Sequence, residues 1–219
     1  MKFLQIPQFE EITVALSQLE NAECTLEIRL DPYSCKLTNQ DKAVYHNLNK
    51  SYEALAKSPT AVVSPSALGP LSESASRKKL IMLVIALNNS FPSNDFCGLQ
   101  GDQFSSEPVA LAISTLDSHL AATFAGAYSN TLQQAVWNTV TAEFDLPECS
   151  VFAFTPDPDY NPFDRQHLEM WALHYFFYNQ KLRRVLLFSC RAMRRQPADA
   201  MEEGYESWGS EDDFEMEEV

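Results

Sequence analysis

The sequence predicts a mixed α/β fold, on three observations. ECTLEIRLD (23–31) alternates strictly between apolar and polar residues, as a half-buried strand does. WALHYFFYNQKLRRVLLFSC (171–190) holds the densest aromatic run and is apolar on both faces, as central strands covered on each side are. Several separate segments carry apolar residues at helical spacing.

Phe9, Ile12, Leu16 and Leu19 recur behind Pro7, a residue suited to a first helical turn, and predict a helix that ends near Asn21. In the strand that follows, Cys24, Leu26, Ile28 and Leu30 take one face, and PYSCKL extends it after a kink at Pro32. Val44, Leu48, Tyr52 and Leu55 predict a short helix. Residues 58–76 contain six Ser, three Pro and no aromatic residue, so they can bury little and read as a mobile linker. RKKLIMLVIALNNSF reads as a buried helix that stops near Asn88 and Asn89, and NDFCGLQGDQFSSEP as a loop. Val109, Ile113, Leu116, Leu120 and Phe124 mark one helix, and Leu132, Val136, Val140 and Phe144 a second, closed by Pro147. ECSVFAFT is a short strand, and PDPDYNPFD a rigid loop.

WALHYFFYN admits a helix, with Trp171, Tyr175 and Tyr178 on one face, but its aromatic content favours a strand. Asn179 and Gln180 can then form a two-residue turn, with LRRVLLFSC as the return strand of a hairpin.

The 219 residues carry a formal charge of −14, unevenly spread. Ten Asp and Glu lie between Asp199 and Glu218, with no basic residue after Arg195, which leaves −4 for residues 1–195. This balance disfavours direct nucleic-acid binding, where affinity comes from Lys and Arg. Five widely spaced cysteines, with no CxxC and no zinc spacing, read as buried thiols in a reducing compartment. Pro7 and the acids after it break the N-terminal apolar stretch, so it is not a signal peptide. LIMLVIAL is under half the ~20 residues of a membrane helix. A cytoplasmic or nuclear protein is expected.

Asp157-Pro158-Asp159, with Asp164 nearby, could hold a hard divalent cation and serve a metal-dependent transferase. Three Pro in the same loop favour turn chemistry instead. Cys190 and His174 could meet on adjacent strands, but both sit in apolar runs and read as core. No catalytic residue is assigned, and no metal or cofactor is expected.

Basic residues cluster at Arg77, Lys78 and Lys79, which could be a nuclear import signal, and at Lys181, Arg183, Arg184, Arg191, Arg194 and Arg195. A buried, unpaired Arg is costly, so Lys181, Arg183 and Arg184 are expected as a basic rim at the hairpin turn that meets an acidic partner or the chain's own tail. That tail interleaves its acids with Tyr205, Trp208 and Phe214, a pattern suited to docking on a basic, apolar groove; Asp212, Asp213 and Phe214 are its candidate contacts. A generic nuclear scaffold would show the same features.

PYSCK (32–36), RKKLIMLVIALNNSF (77–91) and NPF (161–163) followed by YFFYNQKLRRVLLFSCR (175–191) resemble the Maf repressor of RNA polymerase III, a globular eukaryotic regulator. The resemblance implies a single α/β (α+β) domain with a central antiparallel β-sheet and flanking helices, interrupted by a mobile linker. Residues 1–57 and 77–195 would form the two parts of that domain, 58–76 the linker and 196–219 a disordered acidic tail. It implies no enzymatic activity. The expected action is repression through binding of RNA polymerase III, impeding recruitment by the initiation factor TFIIIB through its Brf subunit. Nutrient-sensing protein kinases of the target-of-rapamycin and protein kinase A types would relieve it, and the protein would shuttle between nucleus and cytoplasm. Ser58-Pro59 and Ser64-Pro65 match the proline-directed serines of the family's linker, so Ser58 and Ser64 are the expected phosphorylation sites. Region 92–106 keeps only NDF of the family's loop motif, and the chain has no Arg-Arg-x-Ser sequence.

Overall fold

A computed structural model describes residues 1–57, 66–159, 161–163 and 166–195. In chain order these form β1 (Lys2–Phe3), α1 (Pro7–Ser17), β2 (Cys24–Ser34), α2 (Asn39–Ala56), α3 (Ser74–Ser90), β3 (Phe104–Glu107), α4 (Val109–Thr123), α5 (Asn130–Phe144), β4 (Ser150–Phe154), β5 (Glu169–Asn179) and β6 (Arg184–Arg194). The six strands make one sheet in the order β1-β2-β6-β5-β4-β3, and each neighbouring pair is antiparallel.

Because side chains alternate along a strand, β6 feeds two cores at once. Leu186, Phe188, Cys190 and Ala192 join Leu26, Leu30, Tyr175 and Phe177 under α1, α4 and α5. Val185 and Leu187 join Tyr33, Phe152 and Phe176 under α2 and α3. This three-layer arrangement accounts for the apolar run on both faces of the hairpin. It also accounts for α3, in which every residue from Leu80 to Leu87 is buried.

Several boundaries differ from the sequence expectation, each for a local reason. α1 ends at Ser17, not near Asn21. The Asn21 side chain takes over, accepting from the Glu23 and Cys24 amides at 2.8 Å and turning the chain into β2. β2 continues through Pro32 without ending. The Pro32 carbonyl accepts from the Leu4 amide on the side away from β6, so the donor that proline lacks faces the edge of the sheet. α2 is long, because Thr38 and Asp41 form a reciprocal capping box before its apolar stripe begins. β3 lies within the expected loop; its residues Ser105 and Ser106 give no apolar alternation, and pairing with β4 supplies the strand.

Part of the expected linker is packed. Leu68 is 1% exposed, the Ser66 hydroxyl donates to the Gly101 carbonyl at 3.0 Å, and α3 already starts at Ser74. One Leu anchors this stretch, which a composition count dominated by Ser and Pro does not reveal. Residues 58–65, with Ser58 and Ser64, lie outside the described residues, as does the tail 196–219.

WALHYFFYN is a strand, but the hairpin turn has four residues rather than two. Asn179 pairs with Arg184, and Gln180, Lys181, Leu182 and Arg183 connect them. A two-residue primed turn needs positive φ at both positions, which Gln and Lys resist. The longer turn needs it once, at Arg183 (φ 53°), and the Asn179 side chain accepts from the Leu182 amide at 2.9 Å.

Candidate functional site

The sheet register brings the Lys181–Arg184 part of the second basic cluster to the same end of the molecule as Arg77, Lys78 and Lys79. The Arg183 carbonyl accepts from the Cys35 amide at 2.8 Å, and the Lys36 carbonyl from the Lys2 amide at 3.2 Å. The β5–β6 turn therefore lies beside the end of β2. The first turns of α3 reach the same place. Burial pushes the Cys35 thiol up to about 11 against the pull of both Lys78 and Arg183. Tyr178 is also raised by burial, with the Arg183 charge opposing. Met82, Leu83, Phe152, Tyr178 and Val185 pack together there around a gap no larger than a water molecule, with Lys79 at its edge.

The expected rim residues are not equivalent. Lys181 is exposed but ion-paired with Glu148. Arg184 donates to the Glu143 carbonyl at 3.0 Å and lies 3.4 Å from its carboxylate. Arg183 is not in the return strand, as expected for LRRVLLFSC, but in the turn, with an exposed side chain. Among the described residues Arg183, Lys36, Lys78 and Lys79 make no ion pair. Leu182, at the tip, is 48% exposed.

Arg77 departs from an import-signal role. It is 8% exposed and donates to Asn49 Oδ1 at 3.0 Å and to the Leu71 and Ser72 carbonyls at 2.7 and 3.0 Å. It ties the packed part of the linker to α2 and α3. Lys78 is exposed and Lys79 half-buried.

The far part of the second cluster is largely structural. Arg191 is buried between Glu169 and Glu27, at 2.8 and 3.2 Å, and its guanidinium sits 5.0 Å from the Phe163 ring centre. Arg195 pairs with Glu20 at 2.5 Å.

His174 and Cys190 do not meet. Register sets His174 opposite Ser189 and Leu173 opposite Cys190, so the two side chains leave opposite faces of the sheet. His174 Nδ1 lies 2.8 Å from the Ser189 hydroxyl, and its ring stacks on Phe163 with centres 4.5 Å apart. Burial, helped by the Arg191 charge, lowers its pKa to about 3 and keeps the ring neutral. Burial pushes up all five thiols, Cys149 to about 11, and none is held as the thiolate a nucleophile requires. The Asp157 carboxylate accepts from the Asp159 amide at 2.9 Å, which is turn chemistry. Asp164 is outside the described residues, among which no cluster of His, Cys, Asp and Glu could hold a metal ion.

The profile of the Maf1 regulator family matches residues 26–189. The chain belongs to the Maf1 regulator family. A relative from Schizosaccharomyces pombe, a repressor of RNA polymerase III transcription, is 30% identical over 97% of this chain and 90% of its own length. One from Dictyostelium discoideum, likewise a repressor of RNA polymerase III transcription, is 27% identical over 87% of this chain and 84% of its own length. Two crystal forms of citrus MAF1 share the fold at 26% identity, with TM-scores of 0.67 and 0.63, covering 88% and 85% of this chain and 100% and 98% of the citrus chains. The segment matched to the Maf1 profile runs from β2 into β6 and contains both Lys78–Lys79 and the β5–β6 turn.

Sequence reasoning missed Cys35, Lys36 and Tyr178 as neighbours of the rim. Their clustering depends on strand register and on the seating of α3, neither of which leaves a periodic signal. The helix-joining role of Asp117 was also missed. Its carboxylate accepts from Tyr128 Oη, Gln133 Nε2 and Trp137 Nε1 at 2.6, 2.7 and 2.9 Å.

Proposed function

We propose that this chain represses transcription by RNA polymerase III by binding the polymerase and impeding TFIIIB-dependent initiation through the Brf subunit, without catalysing a reaction. The carrying observation is the end-to-end relationship to the fission yeast repressor. The site chemistry is compatible with a binding role: thiols held protonated, a neutral buried histidine and a DxD loop used for its own turn. The basic end of the sheet is the proposed contact face. There Arg183, with Lys181 and Arg184 around it, meets an acidic surface of the polymerase.

Phosphorylation of Ser58 and Ser64 by nutrient-sensing kinases, each adding about −1.5 to −2 charge, is the proposed control, with movement between nucleus and cytoplasm. Transcription of a transfer RNA gene with purified polymerase and TFIIIB tests the reading. Added protein should suppress initiation and co-purify with polymerase subunits. Unchanged transcription with no retained polymerase refutes it. Changing both serines to Ala should leave repression constitutive in growing cells, and finding both unmodified there removes the control.

A further inference from the structure

Among the described residues six large apolar side chains are exposed, and Leu182 is the one in a turn. Phe3, Val14, Leu55, Leu111 and Met170 lie on strands or helices. Leu182 is 48% exposed and joins neither core.

The backbone around Leu182 is fixed from three sides. Asn179 is fully buried; its amide nitrogen donates to the Phe144 carbonyl at the end of α5, and its oxygen accepts from the Leu182 amide, both at 2.9 Å. The Arg183 carbonyl accepts from the Cys35 amide at 2.8 Å, which ties the turn to the end of β2. Lys181 and Arg184, before and after the tip, pair with Glu148 and Glu143. Arg183 meanwhile stands in the left-handed region at φ 53°, where a glycine would be free of strain. Such strain persists where the surroundings over-determine it, and it gathers at sites that bind. A lone surface leucine needs no explanation. One locked at a strained tip has little freedom left to lose on association and is preorganised as a contact.

The charges around the tip say what it meets. Lys36 directly follows Cys35, and Lys78 and Arg183 lie about the Cys35 thiol. Among the described residues these three cations make no ion pair. A matching partner offers an apolar pocket of leucine size with carboxylates at its rim, which a protein surface can supply. A nucleic-acid backbone would match the cations and leave the leucine in water. A bilayer is a poor match, because even a whole myristoyl chain anchors only marginally.

We propose that Leu182 is the apolar anchor of the basic face: it inserts into an apolar pocket on an acidic protein partner, with Arg183, Lys36 and Lys78 against the carboxylates at the rim. This rests on the polymerase reading above and names the contact that carries it. The cations govern the rate of encounter, and the desolvated leucine governs how slowly the complex parts.

Binding kinetics of the full chain on immobilised polymerase, at about 0.1 M and about 0.5 M salt, test this. Leu182→Ala should dissociate about tenfold faster at both, the loss expected when one leucine side chain is no longer buried. Its melting temperature should not change, since Leu182 joins neither core. Leu182→Met, of similar volume, should bind as the unaltered chain does. Lys36→Gln combined with Lys78→Gln should slow association at the lower salt only; an association rate unmoved by that pair overturns the cationic rim. Dissociation of Leu182→Ala within about twofold of the unaltered chain overturns the anchor and leaves the repressor reading standing. An unaltered chain that does not bind polymerase overturns both. A loss shared by Leu182→Met, or accompanied by a lower melting temperature, overturns the anchor in favour of a role in the turn. Retention of the unaltered chain on phosphatidylserine vesicles, lost in Leu182→Ala, overturns it in favour of a membrane.

Discussion

At the scale of single residues, His174 in the sheet and Asp117 on α4 show how polar side chains are held inside this fold. His174 is 2% exposed, stacked on Phe163 and bonded to Ser189, and carries no proton in the folded chain until about pH 3. In the unfolded chain it takes one below its ordinary 6.5. Unfolding therefore takes up a proton between those values, and stability falls as pH drops through the window, by up to about 1.4 kcal/mol per unit. Urea unfolding at pH 7 and pH 5 should show His174→Gln losing about 2 kcal/mol less than the unaltered chain. An equal loss in both would place the acid sensitivity in the carboxylates instead. Asp117 works differently, through three donors gathered from the end of α4 to α5. Asp117→Ala strands the Trp137 and Tyr128 donors and should cost about 2 kcal/mol in the same experiment. Sequence reasoning placed His174 in the core because it sits in an apolar run. It had no means of finding Asp117, whose role depends on how α4 and α5 cross.

At the scale of elements, alternation found β2, helical spacing found α1, α2, α4 and α5, and unbroken apolar runs found α3, β4, β5 and β6, with aromatic content deciding β5 for a strand, because each buries large apolar side chains. What they missed shares a physical cause. β3 has one buried residue, Phe104, and takes its strand conformation from β4. β1 is two residues long and exposed. Residues 66–73 hold their place through Leu68 and through hydrogen bonds, none of which produces a period. The hairpin turn was misread by two residues because turn length depends on where the strand register closes. That turn also carries the clearest backbone strain at the basic end. A non-glycine residue at φ 53° costs about 1 kcal/mol, and Arg183 occupies such a position with its side chain in solvent. Arg183→Gly should raise the unfolding free energy by about 0.5–1 kcal/mol while weakening polymerase binding, measured on immobilised polymerase. Loss of stability would mean that the Arg183 side chain supports the turn. Gain of stability with unchanged binding would remove it from the contact face.

At the scale of the whole molecule, the described body closes without its tail. Both cores end within β6, at Ala192 and Leu187, and no buried apolar residue lies beyond Met193 among the described residues. Charge is divided in the same way, with a nearly balanced body and an acidic C-terminal stretch. An acidic segment that can meet the body only through exposed charge pairs adds little to global stability, because such pairs contribute about 1 kcal/mol at most. Ending the chain after Arg195 should therefore shift the melting temperature by less than about 4 °C, the displacement that 1 kcal/mol produces in a domain of this size. The same truncation should change the rate of association with the polymerase at low salt, because it removes ten acids and so alters the field that steers the encounter. The change should vanish near 0.5 M salt, where screening reaches about 4 Å. A melting temperature lower by ten degrees or so would show the tail to be packed structure, since such a shift corresponds to about 3 kcal/mol. Slower association after truncation would mean that the acids serve the polymerase contact, and faster association that their charge opposes it.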